Sequence, residues 1–240
     1  MRIKRVKLGF ACALLALSAA ASADAEKGMA AFQAGDYKTA LKELNADVKK
    51  GDAEAMAMMS RLYAEGKGVK QDHKLAFQWM EKAAKAGSVH GQGSLAMFYS
   101  EGIGTAKDDA RSLEWGRRAA DSGHLISQFI MGMRFSRGIG VERDPQQAMN
   151  WWSKAAERGM IRAQAMLGEL LAGLALAPDV KPEDASTQRV EAAKWLLLAD
   201  SARQPGGEDF LSSLKEKMTP DEIASAEEKA RDWRPAGAAK

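Results

Sequence analysis

Apolar and small side chains recur along this chain at steps of three and four residues, the spacing of one buried face on an α-helix. One run reads Ala55, Met58, Met59, Leu62 and Tyr63. The next reads Gly91, Ser94, Leu95, Phe98 and Tyr99, and a third Ser127, Ile130, Met131, Arg134 and Phe135. Between them lies a second kind of run, Ala76, Trp79, Met80, Ala83 and Ala84, with counterparts further on. None of these runs alternates as a half-buried strand would. The pattern predicts amphipathic helices in pairs, a helix A followed by a helix B.

The pairs are copies. Gly138, Gly140, Asp144, Ala148, Trp151, Ala155, Ala156 and Gly159 form a frame that recurs 36 residues earlier as Gly102, Gly104, Asp108, Ser112, Trp115, Ala119, Ala120 and Gly123. A further step of 36 gives Gly66, Gly68, Asp72, Ala76, Trp79, Ala83, Ala84 and Gly87. A fixed period of this length predicts a solenoid. Two glycines one residue apart suit a turn out of helix A, and the aspartate suits the N-cap of helix B. In the third copy Pro145 stands at the first helical position and Gln147 where a capping box would close. The tryptophans Trp79, Trp115 and Trp151 fall on the apolar stripe and read as core. Trp152 lies beside that stripe and is the tryptophan most open to exposure.

Four units follow in the order 51–87, 88–123, 124–159 and a degenerate 160–206. In the last, Leu174 and Leu176 replace the glycines, and Trp195 comes eight residues late, after an insertion bearing Pro178 and Pro182. This predicts an exposed loop over 174–189, with helix B recovered as Val190 to Ala199. Residues 24–50 read as an N-terminal capping hairpin, broken at Gly35-Asp36. Residues 207–233 read as capping helices, the last opened by Thr219-Pro220-Asp221-Glu222, and 234–240 as a tail.

Residues 1–23 carry a different signal. Arg2, Lys4, Arg5 and Lys7 precede an apolar run from Leu8 to Leu17, and Ala21-Ser22-Ala23 fits a cleavage site before Asp24. This is the pattern of a secretory leader, too short to span a membrane. It predicts a periplasmic or secreted protein without a transmembrane span. The leader holds four of the 35 Lys and Arg and none of the 32 Asp and Glu, leaving 31 against 32. The basic balance of the full chain is therefore no reason to expect nucleic acid. The single Cys, Cys12, leaves with the leader, so core packing alone holds the fold.

Candidate chemistry is sparse. His73, His90 and His124 lack a second His or Cys at metal-ligand spacing. The Gly-x-Gly pairs lack the third glycine and the preceding strand of a dinucleotide loop. Asp108-Asp109 and Glu208-Asp209 are acids at helix starts, which the helix dipole favours. No catalytic set, cofactor or metal is expected.

The three in-register copies resemble the Sel-one-like repeat, a relative of the tetratricopeptide repeat with a longer loop between its helices. The resemblance covers roughly residues 51–203. It implies an all-α, right-handed α/α superhelical solenoid that acts as a non-enzymatic, monomeric scaffold for a protein or peptide partner in the periplasm or cell envelope. It places the partner on outward positions of helix A: Arg61, Met97, Ile126, Phe129, Met133, Arg137 and Glu169, beside His90 and Arg162. Ile126, Phe129 and Met133 share one helical face, as a groove for a partner would. A cysteine-rich subgroup of the family, linked to penicillin binding and β-lactamase activity, implies the alternative of a cell-wall or β-lactam enzyme; this chain lacks those cysteines.

Overall fold

The computed structural model describes residues 27–178, 182–202 and 208–237. The leader and its cleavage site, the Val180 position and Gly206-Gly207 lie outside the described residues. The described chain is helical: α1 (27–33), α2 (Tyr37–Lys49), α3 (Ala53–Glu65), α4 (His73–Lys85), α5 (Val89–Glu101), α6 (Asp109–Asp121), α7 (Leu125–Arg137), α8 (Pro145–Glu157), α9 (Ile161–Ala175), α10 (Pro182–Ser201), α11 (Glu208–Lys215) and α12 (Pro220–Asp232). No strand occurs among the described residues. The odd-numbered helices α1 to α9 are A helices and the even-numbered α2 to α10 are B helices. The chain divides into two compact units at His124–Leu125, between the second and third 36-residue copies.

Each hairpin is defined at its ends. Helices α3 and α5 stop at left-handed glycines, Gly66 and Gly102, whose amides return to the carbonyls of Leu62 and Phe98. One hydrogen bond then closes every loop: the amide of Asp72 donates to the Tyr63 carbonyl, Asp108 to Tyr99 and Asp144 to Phe135, each at 2.9 Å. The same aspartates cap the B helices, accepting from the amides of Leu75, Arg111 and Gln147 at 2.9, 2.9 and 3.0 Å. A single residue type thus holds the loop with its backbone and satisfies an orphan amide with its side chain, a cap worth about 1 kcal/mol. Pro145 opens α8 as expected. The full reciprocal capping box is made in α12 by Thr219 and Glu222.

The second loop glycine has a further part. A Cβ on Gly104 would overlap the carbonyl of His73, the first residue of α4 in the preceding hairpin. A Cβ on Gly68 would stand 2.7 Å from the Cβ of Tyr37, the first residue of α2. Each loop of the first unit is therefore seated on the start of the previous B helix. The glycine is needed there for space as well as for its positive φ of 68° or 70°.

Within a hairpin, one small residue of helix A faces one position of helix B. Gly28 lies under Leu44, Ala96 meets Gly116, Gly132 lies under Trp152 and Gly168 under Leu196. Ser60 occupies the same place in α3 and donates at 2.7 Å to the Ala76 carbonyl of α4, so its buried hydroxyl is satisfied. Where helix A is reduced to glycine, helix B brings a large side chain, which keeps the interior close-packed.

This pairing corrects the reading of the third copy. Ser127 and Met131 are buried as the stripe predicts, but Ile130 is 44% exposed, while Gln128 and Gly132 are buried. Trp152 is the cause. Its indole fills the space over Gly132 and donates to the Phe129 carbonyl at 3.2 Å, drawing that side of α7 onto α8. Trp152, expected near the surface, is buried. Trp79 and Trp115, expected in the core, are half-buried under Lys82 and Arg118, which lie 4.3 and 4.7 Å from the ring centroids.

The second correction lies in the insertion. With Leu174 in place of the turn glycine, α9 continues to Ala175. Residues 182–189, expected as loop, instead extend α10 back to Pro182. Ala185, Val190, Ala192 and Ala193 are buried, and α10 packs against α9 and α12. Arg189 clasps Glu222 of α12, Nη2 to Oε1 at 2.7 Å and Nε to Oε2 at 3.4 Å. A helix here gains a buried face and an ion pair that a loop would forgo.

Two predictions follow from these contacts. Gly104→Ala should cost about 3 kcal/mol or more, because strain and backbone overlap combine. Gly87→Ala should cost about 1 kcal/mol, from strain alone, since its φ is 95° and nothing lies within 4 Å of its Cβ. Equal losses in urea unfolding would mean that loop seating contributes nothing. The Arg189 fork holds the Glu222 carboxyl down at about 2, from an ordinary 4.5. A depressed carboxylate stabilises fully above the unfolded value and loses that stabilisation as pH falls toward the folded one. Arg189→Met should be about 1–3 kcal/mol less stable than wild type at neutral pH, with the gap closing between about pH 4.5 and 2. A gap indifferent to pH would assign the contact to packing.

Candidate functional site

The small residue that faces helix B marks a register along each A helix. In the first unit the next residues along the A helices are Met29, Arg61 and Met97, and all three line one groove; in the second unit the same register holds Met133 and Glu169, both half-buried. Met29 is 36% exposed and Met97 50%. Arg61 and Met97 were expected on a partner-binding face, and they line one groove of about 490 Å³ together with Met29, Met58, Phe98 and His90. The groove crosses α1, α3 and α5. Four methionines and Phe98 stand in its walls beside Arg61, Glu54 and Glu65, and the thioethers can adapt to an incoming side chain.

Arg61 stands in the middle of the row and is held in place. Its Nε donates to Glu65 Oε1 at 2.6 Å, and its guanidinium lies 4.6 Å from the Phe32 ring centroid. Lys67 reaches the other oxygen of Glu65 at 2.6 Å. The two cations, Lys67 first and Arg61 second, hold the Glu65 carboxyl below the usual carboxylate range. On the groove wall His90 packs edge to face with His124, ring centroids 6.0 Å apart. Glu54 also lines the groove, two turns before Arg61.

The second unit arranges its candidates differently. Ile126 is 57% exposed, with Ile130 beside it one turn on. Phe129 and Met133 are half-buried against the cluster that holds Trp152, Ala155 and Leu167. The face expected to carry Ile126, Phe129 and Met133 together is thus divided: Ile126 turns outward, while the other two support α8 and α9. Arg137 is exposed at the end of α7. Glu169 is half-buried, and burial pushes its carboxyl up. Unit by unit, then, Arg61 and Met97 line one groove, and Ile126, Phe129, Met133, Arg137 and Glu169 belong to the other unit.

Met29 was missed by sequence reasoning. The turn between α1 and α2 is four residues shorter than that between α3 and α4, so a step of 36 from Arg61 or Met97 does not arrive at it. Counting from the helix-facing glycine, Gly28, would have found it. Buried Gln164 was missed as well. It donates to the Ala156 carbonyl at 3.2 Å and so ties α9 to the last turn of α8. Glutamines at 92 and 128 occupy the same register. Among the described residues no group of three or more His, Cys, Asp or Glu is placed to hold a metal ion. No described helix is long and apolar enough to cross a membrane.

Comparison with known proteins bears on the repeat. Residues 53–88, 89–124 and 125–160 each match the Sel1 repeat. Among solved structures, the chain is similar to a Sel1 repeat protein from Oxalobacter formigenes, with 24% identity and a TM-score of 0.68, over 87% of this chain and 82% of that one. It is also similar to c5321, a protective antigen present in uropathogenic Escherichia coli strains and displaying an SLR fold, with 26% identity and a TM-score of 0.69. That match covers 89% of this chain but 45% of c5321, so the chain spans less than half of that protein's length. No curated protein matches the sequence. Likeness at this level of identity shows a shared fold. Residues 53–160 thus match the Sel1 repeat three times in succession, and the described chain shares an all-helical repeat fold with these proteins.

Proposed function

We propose that this protein is an exported, non-enzymatic scaffold of the periplasm or cell envelope, and that it holds a protein or peptide partner on the A-helix face of its first unit. The observation that carries this reading is the groove of about 490 Å³ across α1, α3 and α5. It presents exposed methionines where the other face of each A helix is committed to helix B. A cleft of that volume admits several side chains of a partner. The leader-like segment 1–23 supports export, and near-neutral charge after its removal disfavours a nucleic-acid partner.

Two measurements test the reading. Expressed with its leader in a Gram-negative host, the protein should be recovered by osmotic shock with Asp24 as its first residue; a cytoplasmic product that keeps Met1 would refute export. Met97→Asp places a charge in the groove at a half-exposed position and should leave the fold intact. It should reduce capture of the partner from envelope extract at least tenfold (~1.4 kcal/mol), while its thermal unfolding matches wild type. Undiminished capture by a folded Met97→Asp protein would move the partner site elsewhere.

A further inference from the structure

The methionines of the first unit fall into two groups. Met59 and Met80 are 2% and 5% exposed and belong to its core clusters, and Met56 and Met58 pack half-buried against those clusters. Met29 and Met97 form the second group, 36% and 50% exposed. They are the exposed methionines among the described residues of the whole chain, and both line the same groove. One stands on α1 and the other on α5, so it is the fold that gathers them on one surface.

An exposed thioether reacts with a two-electron oxygen donor such as hydrogen peroxide. The sulfur lone pair attacks one peroxide oxygen, an S–O bond forms and the O–O bond breaks. The proton on the transferred oxygen passes to the departing hydroxide, giving water. Sulfur loses two electrons, the peroxide gains them, and the product is methionine sulfoxide. The step asks only for access to the sulfur, so exposure selects where it occurs. A flexible apolar side chain becomes a polar, chiral one. Its oxygen is a strong acceptor that holds water, and a partner side chain packing on the groove must strip that water.

We propose that Met29 and Met97 are a modification site, oxidised to sulfoxides by peroxide, and that this closes the groove to its partner while the fold stands. The effect on binding rests on the groove being the partner site; the selectivity of oxidation does not. Met59 and Met80 keep their thioethers inside the core, so the hairpins stay packed. A methionine sulfoxide reductase reopens the groove: two electrons from thiols reduce the sulfoxide, and its oxygen leaves as water.

The test treats the purified protein alone with graded hydrogen peroxide, quenches with catalase and reads each methionine by peptide mass spectrometry. Met29 and Met97 should reach half oxidation at a dose about tenfold or more below that for Met59 and Met80, with the circular dichroism melt unchanged. At that dose, capture of the partner from untreated envelope extract should fall about tenfold or more, and a pair of sulfoxide reductases, one for each epimer, should restore it. The Met29→Leu/Met97→Leu variant has no sulfur there to oxidise, so its capture should be the same before and after peroxide. Oxidation of Met59 and Met80 alongside the pair, or a lowered melting temperature at the dose that oxidises the pair, would overturn the modification site. Selective oxidation with undiminished capture, where Met97→Asp loses capture, would overturn the switch and leave the groove standing. Undiminished capture by Met97→Asp would overturn the groove as partner site and the switch with it, while the pattern of sulfoxides still decides the modification site.

Discussion

The contact on which the stack of the first unit depends is the seating of a loop glycine against the backbone that starts the preceding B helix. Gly104 meets His73 in this way and Gly68 meets Tyr37. Two constraints act on one residue. The backbone there has positive φ, which any Cβ strains, and the approach leaves no volume for a side chain. A loop fixed at that point fixes the offset between consecutive hairpins. The aspartate that ends the loop then spends its amide on helix A and its carboxylate on helix B, so neither hairpin end is left unsatisfied.

Once that offset is set, the inner and outer faces of each A helix are assigned together. In the first unit the residues that follow the small, helix-facing Gly28, Ser60 and Ala96 are Met29, Arg61 and Met97, which line the groove. The chemistry of the groove is therefore coupled to core chemistry by one residue of sequence separation. The A positions of the row can vary while the glycines and alanines behind them stay small. A stack built this way can change its outer row without rebuilding its core.

The second unit shows how the same scheme yields when side chains change size. Trp152 over Gly132 rotates the exposed edge of α7, so Ile130 faces solvent and Phe129 supports the interior. Loss of the loop glycines at Leu174 and Leu176 lets α9 run on, and the displaced residues become the first turns of α10, anchored by Arg189 on Glu222. Where the turn signal is lost, α10 finds another helix to pack against, α12.

Much of this was determined by sequence alone. The period of 36, the paired glycines, the capping aspartates and the helical spacing specify which residues form helices, where they stop and that they come in pairs, because turn conformation and end-capping are local and each acts within a few residues. The presence of Arg61 and Met97 on an outward face was legible by register for the same reason. Tertiary structure alone decided the rest. Whether Trp152 is inside or out depends on the vacancy left by a glycine twenty residues earlier, and whether 182–189 is loop or helix depends on α12. That Met29 joins Arg61 and Met97 depends on a shorter turn bringing α1 to the same edge as α3 and α5. These are questions of volume and contact between distant segments, and a pattern of spacings along one chain carries no measure of either.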